Sequence, residues 1–290
     1  MQPISDQTSP PPAPFNADLH THSSFSDGFL TPQELVFRAH HNGVTMLALT
    51  DHDTLDGLPE AADAAASQGL RLIPGVEISV SWIRETVHIV GLNIDPTHPA
   101  LVDGLTHIRQ DRLVRAQKMS DALAEAGFHN MLEKAMRFAR NPHLVSRAHF
   151  ARALVVEGAV SNVHDVFRHY LSPDKPGYVP QEWAELEDSL AWIHQAGGVA
   201  IIAHPGRYWR LSKAELGDLF EQFSKQGGQG IEVVSSAHDA QAEARFARVA
   251  REYDFVASRA SDFHGPDESL IDVGYPRPLP PDLTPVWNLF

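Results

Sequence analysis

Short apolar runs alternate with helical patterns toward both ends of the chain, and these runs predict seven strands. Most of the runs are continuous rather than alternating, which is typical of strands that are covered on both faces. The predicted strands are residues 15–20, 45–50, 71–76, 87–93, 199–203, 230–234 and 255–258.

Helical periodicity fills the intervals between these strands. Thr31 and Ser212 are good signals for the start of a helix, and Gly43, Gly69 and Gly197 are good signals for its end. The predicted helices are residues 32–42, 57–68, 186–196, 213–225 and 240–252. Alternation of strands and helices predicts an α/β fold on a parallel sheet, either open or closed into a barrel.

The middle of the chain differs, because residues 104–174 show helical periodicity without a convincing strand. We interpret them as a helical insertion subdomain in a catalytic barrel of residues 15–103 and 175–290. Residues 1–14 are expected to form a disordered leader. Within residues 104–152, seven Arg and two Lys oppose four acidic residues, a net charge of +5. This basic segment is either a solvated helical face or a surface that faces a site for anions.

The composition is that of an ordinary globular protein, with 43% hydrophobic and 21% charged residues among 290. Cysteine is absent, which excludes thiolate metal sites and leaves nitrogen and oxygen as metal ligands. No apolar run reaches the roughly 18 residues that cross a bilayer, so we expect no membrane contact. The absence of cysteine is typical of the reducing cytoplasm, where we expect the protein to lie. The net charge of −14 argues against non-specific binding of nucleic acid, duplex DNA included.

Seventeen histidines are the unusual feature of the composition, and several lie at predicted strand ends. His20 and His22 are two residues apart on a strand, so their side chains point the same way and can share a metal. A lone His-x-His pair is a weak signal, but further strands end in the same types of side chain: His52, Glu77, His204, Asp262 and His264. The carboxyl ends of parallel strands share one edge of the sheet, which predicts a metal site there.

Three nearby residues do not fit this pattern as clearly. His88 lies near the start of its predicted strand, and taken alone it is more typical of a buried core histidine. Asp18 and Asp51 flank candidate ligands, and we interpret them either as groups that orient imidazole rings or as capping residues.

The motifs around these residues resemble those of the PHP (polymerase and histidinol phosphatase) family. They are Asp18-Leu19-His20-Thr21-His22-Ser23, Ser26-Asp27-Gly28, Thr50-Asp51-His52-Asp53, Pro74-Gly75-Val76-Glu77, Ala203-His204-Pro205 and Ser261-Asp262-Phe263-His264. Residues 146–152 (SRAHFAR), 177–180 (GYVP) and 204–208 (HPGRY) resemble one branch of this family. That branch contains the nucleoside 3′,5′-bisphosphate phosphatases and 5′→3′ exoribonucleases.

The resemblance implies a distorted seven-stranded (β/α) barrel that holds three divalent metal ions, with Mn²⁺ expected and Fe²⁺ or Zn²⁺ as alternatives. It implies a first metal on His20, His22, Glu77 and Asp262. It implies a second metal on Asp27, His52 and His264. A third would be held by Glu77, His88 and His204, so that Glu77 bridges.

The activity that the resemblance implies is removal of the 3′-phosphate from nucleoside 3′,5′-bisphosphates by attack of a metal-bound hydroxide. The alternative is a 5′→3′ exoribonuclease that trims short 5′-phosphorylated RNA. The substrate phosphates are expected to contact Ser146, Arg147, His149 and Arg207, because guanidinium groups match phosphate bidentately. Glu77, His149 and Arg207 are the expected catalytic residues, with His149 as a phosphate donor or leaving-group acid.

Two other functions are compatible with parts of the pattern. An amidohydrolase with a His-x-His motif usually needs a carboxylated lysine between two metals, and none of the five lysines lies at a predicted strand end. A degenerate metal-binding module kept as a scaffold should have lost ligands, whereas all nine ligand positions are filled here.

Overall fold

The structure is a computed structural model that describes residues 15–139, 141–180 and 183–290, so the predicted leader lies outside the described residues. In this part of the chain seven strands form one sheet in chain order. The strands are β1 (Ala17–Asp18), β2 (Met46–Leu49), β3 (Arg71–Trp82), β4 (Glu85–Leu92), β5 (Val199–Ile202), β6 (Gly230–Val234) and β7 (Val256–Arg259).

The sheet is mixed, because β4 runs antiparallel to both of its neighbours while the other pairs are parallel. The prediction of a parallel sheet is therefore wrong for β4. Only two residues separate β3 from β4, and so short a connection joins antiparallel strands because a parallel crossover needs a dozen residues or more. Ile83 in this turn has a positive φ of 57°.

The two ends of the sheet meet beyond β1 and β7. The amide of Asp262 donates to the His20 carbonyl at 2.9 Å, and the amide of His22 donates to the Phe263 carbonyl at 2.9 Å. A parallel bridge between Thr21 and Phe263 continues this contact. The seven strands thus form a distorted, nearly closed α/β barrel, which confirms the predicted fold class.

Helices follow most strands and cover the outside of the barrel. They are α1 (Pro32–His41), α2 (Leu58–Gln68), α3 (Pro99–Glu125), α4 (Met131–Met136), α5 (Arg147–Val156), α6 (Val163–Val166), α7 (Leu186–Gln195), α8 (Lys213–Lys225) and α9 (Ala240–Glu252). The predicted start signals are confirmed at α1 and α8. Thr31 and Ser212 accept hydrogen bonds from the amides of Glu34 and Glu215, and both glutamates bond back in capping boxes.

The helical middle of the chain has its own apolar cluster, and α3 connects that cluster to the barrel. Leu101 and Leu105 in the first half of α3 pack in the barrel core. Met119 and Leu123 in its second half pack with residues of α4, α5 and α6. The expected boundary at residue 104 therefore falls inside a continuous helix. Among the described helices, none combines the length and apolarity needed to cross a membrane.

Candidate metal centre

The structure brings all nine predicted ligands to one end of the barrel. They form four overlapping groups of three or four residues. Within each group, one nitrogen or oxygen atom of every residue lies within 4.8 Å of those of the others. His20 and His22 follow β1, His52 follows β2, His204 follows β5, and Asp262 and His264 follow β7, as the strand-end rule predicts. Asp27 lies in the loop between β1 and α1.

Glu77 and His88 reach the centre from inside strands. β3 does not end at Glu77, as predicted, but continues to Trp82, and β4 then returns antiparallel beside it. Because β4 is reversed, its first residues lie at the edge where the parallel strands have their carboxyl ends. This reversal explains why His88 did not fit a rule that assumes parallel strands.

Glu77 lies at the middle of the cluster and is fully buried. Its Oε1 lies 2.8 Å from His88 Nδ1 and 2.9 Å from His204 Nε2. Its Oε2 lies 2.9 Å from His52 Nδ1, 3.2 Å from His20 Nε2 and 3.3 Å from His22 Nε2. One carboxylate thus contacts five imidazole rings, a geometry suited to bridging cations.

The remaining two carboxylates each face a different part of the cluster. Asp262 Oδ1 lies 3.3 Å from His22 Nε2 and 3.6 Å from His20 Nε2. Asp27 Oδ1 lies 3.4 Å from His264 Nε2 and 3.8 Å from His52 Nε2. His22 Nδ1 lies 4.0 Å from Asp27 Oδ1, so the ring of His22 adjoins both carboxylates.

The carboxylates are held in their charged form, although burial opposes it. The rings of His52, His88 and His20 hold the pKa of Glu77 well below its usual range. His52 and His264 do the same for Asp27, and Arg207 and His20 do so for Asp262. Three anionic side chains in one buried cluster create a strong demand for positive charge.

The histidines divide into two electrostatic classes. Burial lowers the pKa of His22 to about 3 and that of His204 to about 4. Burial also opposes the charge on His52, but Glu77 and Asp27 raise its pKa to about 9. Against the same cost, Glu77 and Glu232 raise the pKa of His20 well above its usual value, and Asp27 raises that of His264. Without a metal, protons on these rings would partly neutralise the cluster.

The unpaired atoms of the cluster fit a metal centre. Buried polar atoms normally find hydrogen-bond partners, so groups of atoms without them are informative. Several candidate ligands have a buried atom that makes no hydrogen bond among the described residues. These atoms are Asp27 Oδ1, Glu77 Oε2, Asp262 Oδ1, His22 Nδ1, His52 Nδ1 and His88 Nδ1. Nitrogen and carboxylate oxygen together form the ligand set of Mn²⁺, Fe²⁺ and Zn²⁺ sites.

Glu232 in β6 supports the centre and was not predicted. Its Oε1 lies 2.6 Å from His20 Nδ1, and its Oε2 accepts the backbone N–H of His204 at 2.6 Å. A carboxylate on the far nitrogen of a ligand histidine fixes the tautomer and the orientation of the ring. The available sequence signal was a lone glutamate within the apolar strand Gly230–Val234, since an acid is rarely buried there without a partner.

Asp51 and Asp18 hold loops rather than imidazole rings. Asp51 accepts the amide and hydroxyl of Ser23 at 2.7 and 2.6 Å and the hydroxyl of Ser26 at 2.6 Å, and so fixes the loop before Asp27. Asp18 accepts the amides of Ser261 and Gly274, both at 2.8 Å. Of the two interpretations of these residues, the structure favours capping.

A cavity of about 710 Å³ opens onto the centre. Ser146, Arg147 and Arg207 line it together with five candidate ligands: Asp27, His52, His88, Asp262 and His264. Arg207 is exposed and forms an ion pair with Asp262, and the Ser146 hydroxyl lies 3.4 Å from Asp27 Oδ2. No lysine lies among the residues that line this cavity, which leaves the amidohydrolase alternative without its bridging group.

His149 does not reach this cavity. It is 1% exposed, and its Nδ1 accepts the backbone N–H of Ser146 at 2.9 Å in the capping box that begins α5. Burial lowers its pKa to about 4, and its ring also bonds the backbone of Ser26. The structure therefore does not place His149 at the cavity, where its expected role as phosphate donor or leaving-group acid would require it.

Comparison with known proteins identifies the family. The model of the PHP domain matches residues 18–236. The 3′,5′-nucleoside bisphosphate phosphatase of Chromobacterium violaceum is 51% identical over 94% of this chain and 95% of its own length. The 5′-3′ exoribonuclease Rnm of Escherichia coli is 42% identical over 94% of this chain and 93% of its own.

A solved structure agrees with these relatives in fold. An amidohydrolase of Chromobacterium violaceum, crystallised with sulfate and without metal, superposes with a TM-score of 0.91. It is 50% identical, and the match covers 94% of this chain and 95% of that one. With the family model and near-complete relatives in agreement, the chain belongs to the PHP domain family and is a hydrolase.

Proposed function

We propose that the chain is a metal-dependent phosphatase that removes the 3′-phosphate of nucleoside 3′,5′-bisphosphates, converting adenosine 3′,5′-bisphosphate to AMP and phosphate. The observation that carries the proposal is the convergence of three buried carboxylates and six histidines in one cluster, which opens onto a cavity. The substrate is suggested by a relative that is 51% identical over nearly the whole chain and is named for this activity.

Three divalent ions are the proposed cofactor. His20, His22 and Asp262 would hold the first with Glu77, and Asp27, His52 and His264 the second, with His22 beside both. His88 and His204 would share the third, since both lie within 2.9 Å of Glu77 Oε1. When bound, such ions activate water as a nucleophile and neutralise phosphoryl oxygens. Manganese as the native ion and the cytoplasm as location stay predictions.

Side chains on the cavity wall would orient the substrate. Arg207 presents a guanidinium at the edge of the centre while it also contacts Asp262, so it is placed to bind an oxygen of the reacting phosphate. Arg147 and Ser146, at the start of α5, line the same cavity and can bind other phosphate oxygens. His149 has no part in this step, because it is buried behind Ser146.

A 5′→3′ exoribonuclease is the second candidate function. A relative with that name is 42% identical over 94% of this chain, and cleavage of the first internucleotide bond attacks the same 3′-linked phosphorus. The two activities would share the centre and differ in whether a nucleotide chain continues beyond the reacting phosphate. The proposed substrate partners are therefore nucleotides or short 5′-phosphorylated RNA.

One pair of assays on a single Mn²⁺-loaded preparation tests the proposal. Phosphate release from adenosine 3′,5′-bisphosphate is compared with mononucleotide release from short 5′-phosphorylated RNA. A larger kcat/KM on the bisphosphate supports the phosphatase, and equal or better turnover of RNA supports the exoribonuclease. Hydrolysis of neither, with bound metal verified by elemental analysis, would contradict both and favour a scaffold role.

A further inference from the structure

A second cavity, of about 630 Å³, adjoins the cavity of the metal centre. Ala237, in the loop that joins β6 to α9, lines both cavities. Arg207 lines the cavity of the metal centre, and its neighbour Gly206 lines the second one. The second cavity is here called the α8–α9 groove, because the rest of its wall comes mainly from these two helices: Lys213, Gln241, Arg245 and Arg248.

The α8–α9 groove is basic, although the chain as a whole has a net charge of −14. Lys213 is the first residue of α8, and Arg245 and Arg248 are three residues apart on α9, so they share one face of that helix. All three side chains are exposed. Among the described residues that line the groove, these three cations are accompanied by one acid, Asp239, which leaves a net charge of +2.

The protein itself does not neutralise these cations. Among the described residues, no carboxylate lies within ion-pair distance of any of the three. Acids that neighbour them in the chain are engaged elsewhere: Glu215 pairs with Arg84, Glu243 pairs with Arg277, and Asp239 caps the start of α9. Unpaired cations that line a cavity attract an anionic ligand.

Contacts between the two cavities fix Arg207 relative to α9. The amide of Gly206 donates to Nε2 of the buried His238 at 3.0 Å, and a Cβ at position 206 would lie 2.6 Å from His238 Cδ2. The ring of His238 packs on that of Phe246 in α9, with centroids 4.7 Å apart. The turn that carries Arg207 is therefore held against the helix that carries the two arginines of the groove.

Single-stranded RNA matches this arrangement, because a positively charged groove can follow its phosphate backbone. When its first internucleotide bond is hydrolysed, water adds to phosphorus, the P–O3′ bond breaks, and a proton from the water passes to O3′. The first nucleotide then leaves with a 3′-hydroxyl, and the phosphate stays on the rest of the chain. That remaining chain is attached to the phosphate beside Arg207, so it has to continue from there across the protein surface.

We propose that the α8–α9 groove binds the nucleotides that follow the reacting phosphate of an RNA substrate, with Lys213, Arg245 and Arg248 at their phosphates. The inference rests on the proposed function in its exoribonuclease form. A nucleoside 3′,5′-bisphosphate ends at the reacting phosphate and does not enter the groove. The groove therefore contributes to turnover of RNA and not to turnover of the bisphosphate.

Steady-state kinetics on two substrates test this groove. The Mn²⁺-loaded protein and its Arg245→Met/Arg248→Met variant are compared on adenosine 3′,5′-bisphosphate and on a short 5′-phosphorylated oligoadenylate. The variant is expected to lower kcat/KM on the oligoadenylate by about tenfold, because two exposed contacts to phosphates are lost. On the bisphosphate the change should stay within about twofold. Equal losses on both substrates, or no loss on the oligoadenylate, would overturn the groove.

Salt dependence and matched variants separate charge from folding. Each phosphate contact on a single strand contributes about 0.7 to the slope of log(kcat/KM) against log salt, so the methionine variant should lower that slope by about 1.4. Arg245→Lys/Arg248→Lys keeps both charges and should retain most of the turnover of oligoadenylate. Arg251→Met removes another arginine of α9, 47% exposed and paired with Asp282, and should leave both substrates unaffected.

A binding measurement distinguishes failure of the groove from failure of the proposed function. If the Mn²⁺-loaded protein hydrolyses neither substrate, the fluorescence anisotropy of a labelled 5′-phosphorylated oligoadenylate still reports on the groove. Weaker binding by Arg245→Met/Arg248→Met than by Arg251→Met would support the groove even then, and equal binding would overturn it. Hydrolysis of the bisphosphate without binding of the oligoadenylate would overturn the groove and leave the phosphatase intact.

Discussion

At the scale of single residues, His52 and Glu77 show how protons and metal ions compete for the centre. Glu77 and Asp27 raise the pKa of His52 to about 9, so below this pH a metal must displace a proton from the ring. The apparent metal affinity should therefore rise with pH up to about 9. Calorimetric titrations in buffers of different ionisation enthalpy should show proton release near pH 7.5. Binding without proton release would contradict the assignment of His52 as a ligand.

Glu232 should act on the metals through His20. Glu232→Gln removes the negative charge that lies 2.6 Å from His20 Nδ1. The side-chain oxygen of the glutamine can still accept the backbone N–H of His204. Loss of such a partner typically costs about 10- to 100-fold in metal affinity. The expected result is weaker Mn²⁺ binding in calorimetry and activity that excess Mn²⁺ restores. Glu221→Gln, at a site 51% exposed, is the control and should bind as the wild-type protein does.

Arg207 should act on substrate binding. Arg207→Ala removes an exposed guanidinium at the edge of the centre, so KM for adenosine 3′,5′-bisphosphate should rise by about tenfold or more. Initial rates over a range of substrate concentrations measure this change. Unchanged kinetics would show that the assignment of Arg207 is wrong.

Sequence patterns identified residues whose type is chemically restricted. The strand-end pattern indicated seven of the nine candidate ligands, and the resemblance added Asp27 and His88. The same reasoning failed for His149, because a motif position does not reveal whether a side chain faces a cavity or caps a helix. Glu232 was missed because its partner is distant in sequence: His20 is 212 residues from Glu232.

At the scale of elements, Arg152 ties the helical insertion to two loops that carry ligands. From α5 it donates to the Asp27 carbonyl at 2.7 Å and to both carboxylate oxygens of Glu268 at 2.7 and 2.8 Å. Glu268 follows His264 closely in the chain. The insertion therefore helps to hold Asp27 and His264, two proposed ligands of one metal.

Arg152→Met should loosen this connection. The substitution leaves Glu268 without its partner, and the loss should lower the free energy of unfolding by roughly 2 kcal/mol. Chemical denaturation measures this loss, and hydrogen exchange should increase in residues 24–29. Arg137→Met removes an insertion arginine whose ion pair is largely exposed, and it should change stability by less than about 0.5 kcal/mol. Equal effects of the two substitutions would contradict the role of Arg152.

Sequence patterns predicted the bounds of an element accurately where a residue next to that element determines where it begins. The helices α8 and α9 have their predicted bounds, because a capping residue precedes each. The direction of β4 and the length of β3 were not predicted, because strand pairing depends on the tight turn at Ile83. That turn carries none of the glycine or asparagine signals of a hairpin.

At the scale of the whole molecule, the melting temperature of the metal-free protein and the increase that a metal produces should change with pH in opposite directions. The pKa of His52 in the folded protein, about 9, lies above its ordinary value of 6.5. Its contribution to stability is therefore full below pH 6.5 and is lost as the pH rises through 9. In EDTA the melting temperature should fall over this range, whereas the increase produced by Mn²⁺ should grow. Parallel curves would contradict metal binding at this cluster.

Stepwise return of metal to the stripped protein tests the central claim most directly. Phosphate release from adenosine 3′,5′-bisphosphate is measured while Mn²⁺ is added, and bound metal is counted in the same samples. We predict no hydrolysis in the stripped protein, recovery as the sites fill, and no recovery in Glu77→Gln, which loses the bridging carboxylate. Full hydrolysis by the stripped protein, or by Glu77→Gln, would contradict a metal-dependent phosphatase centred on Glu77.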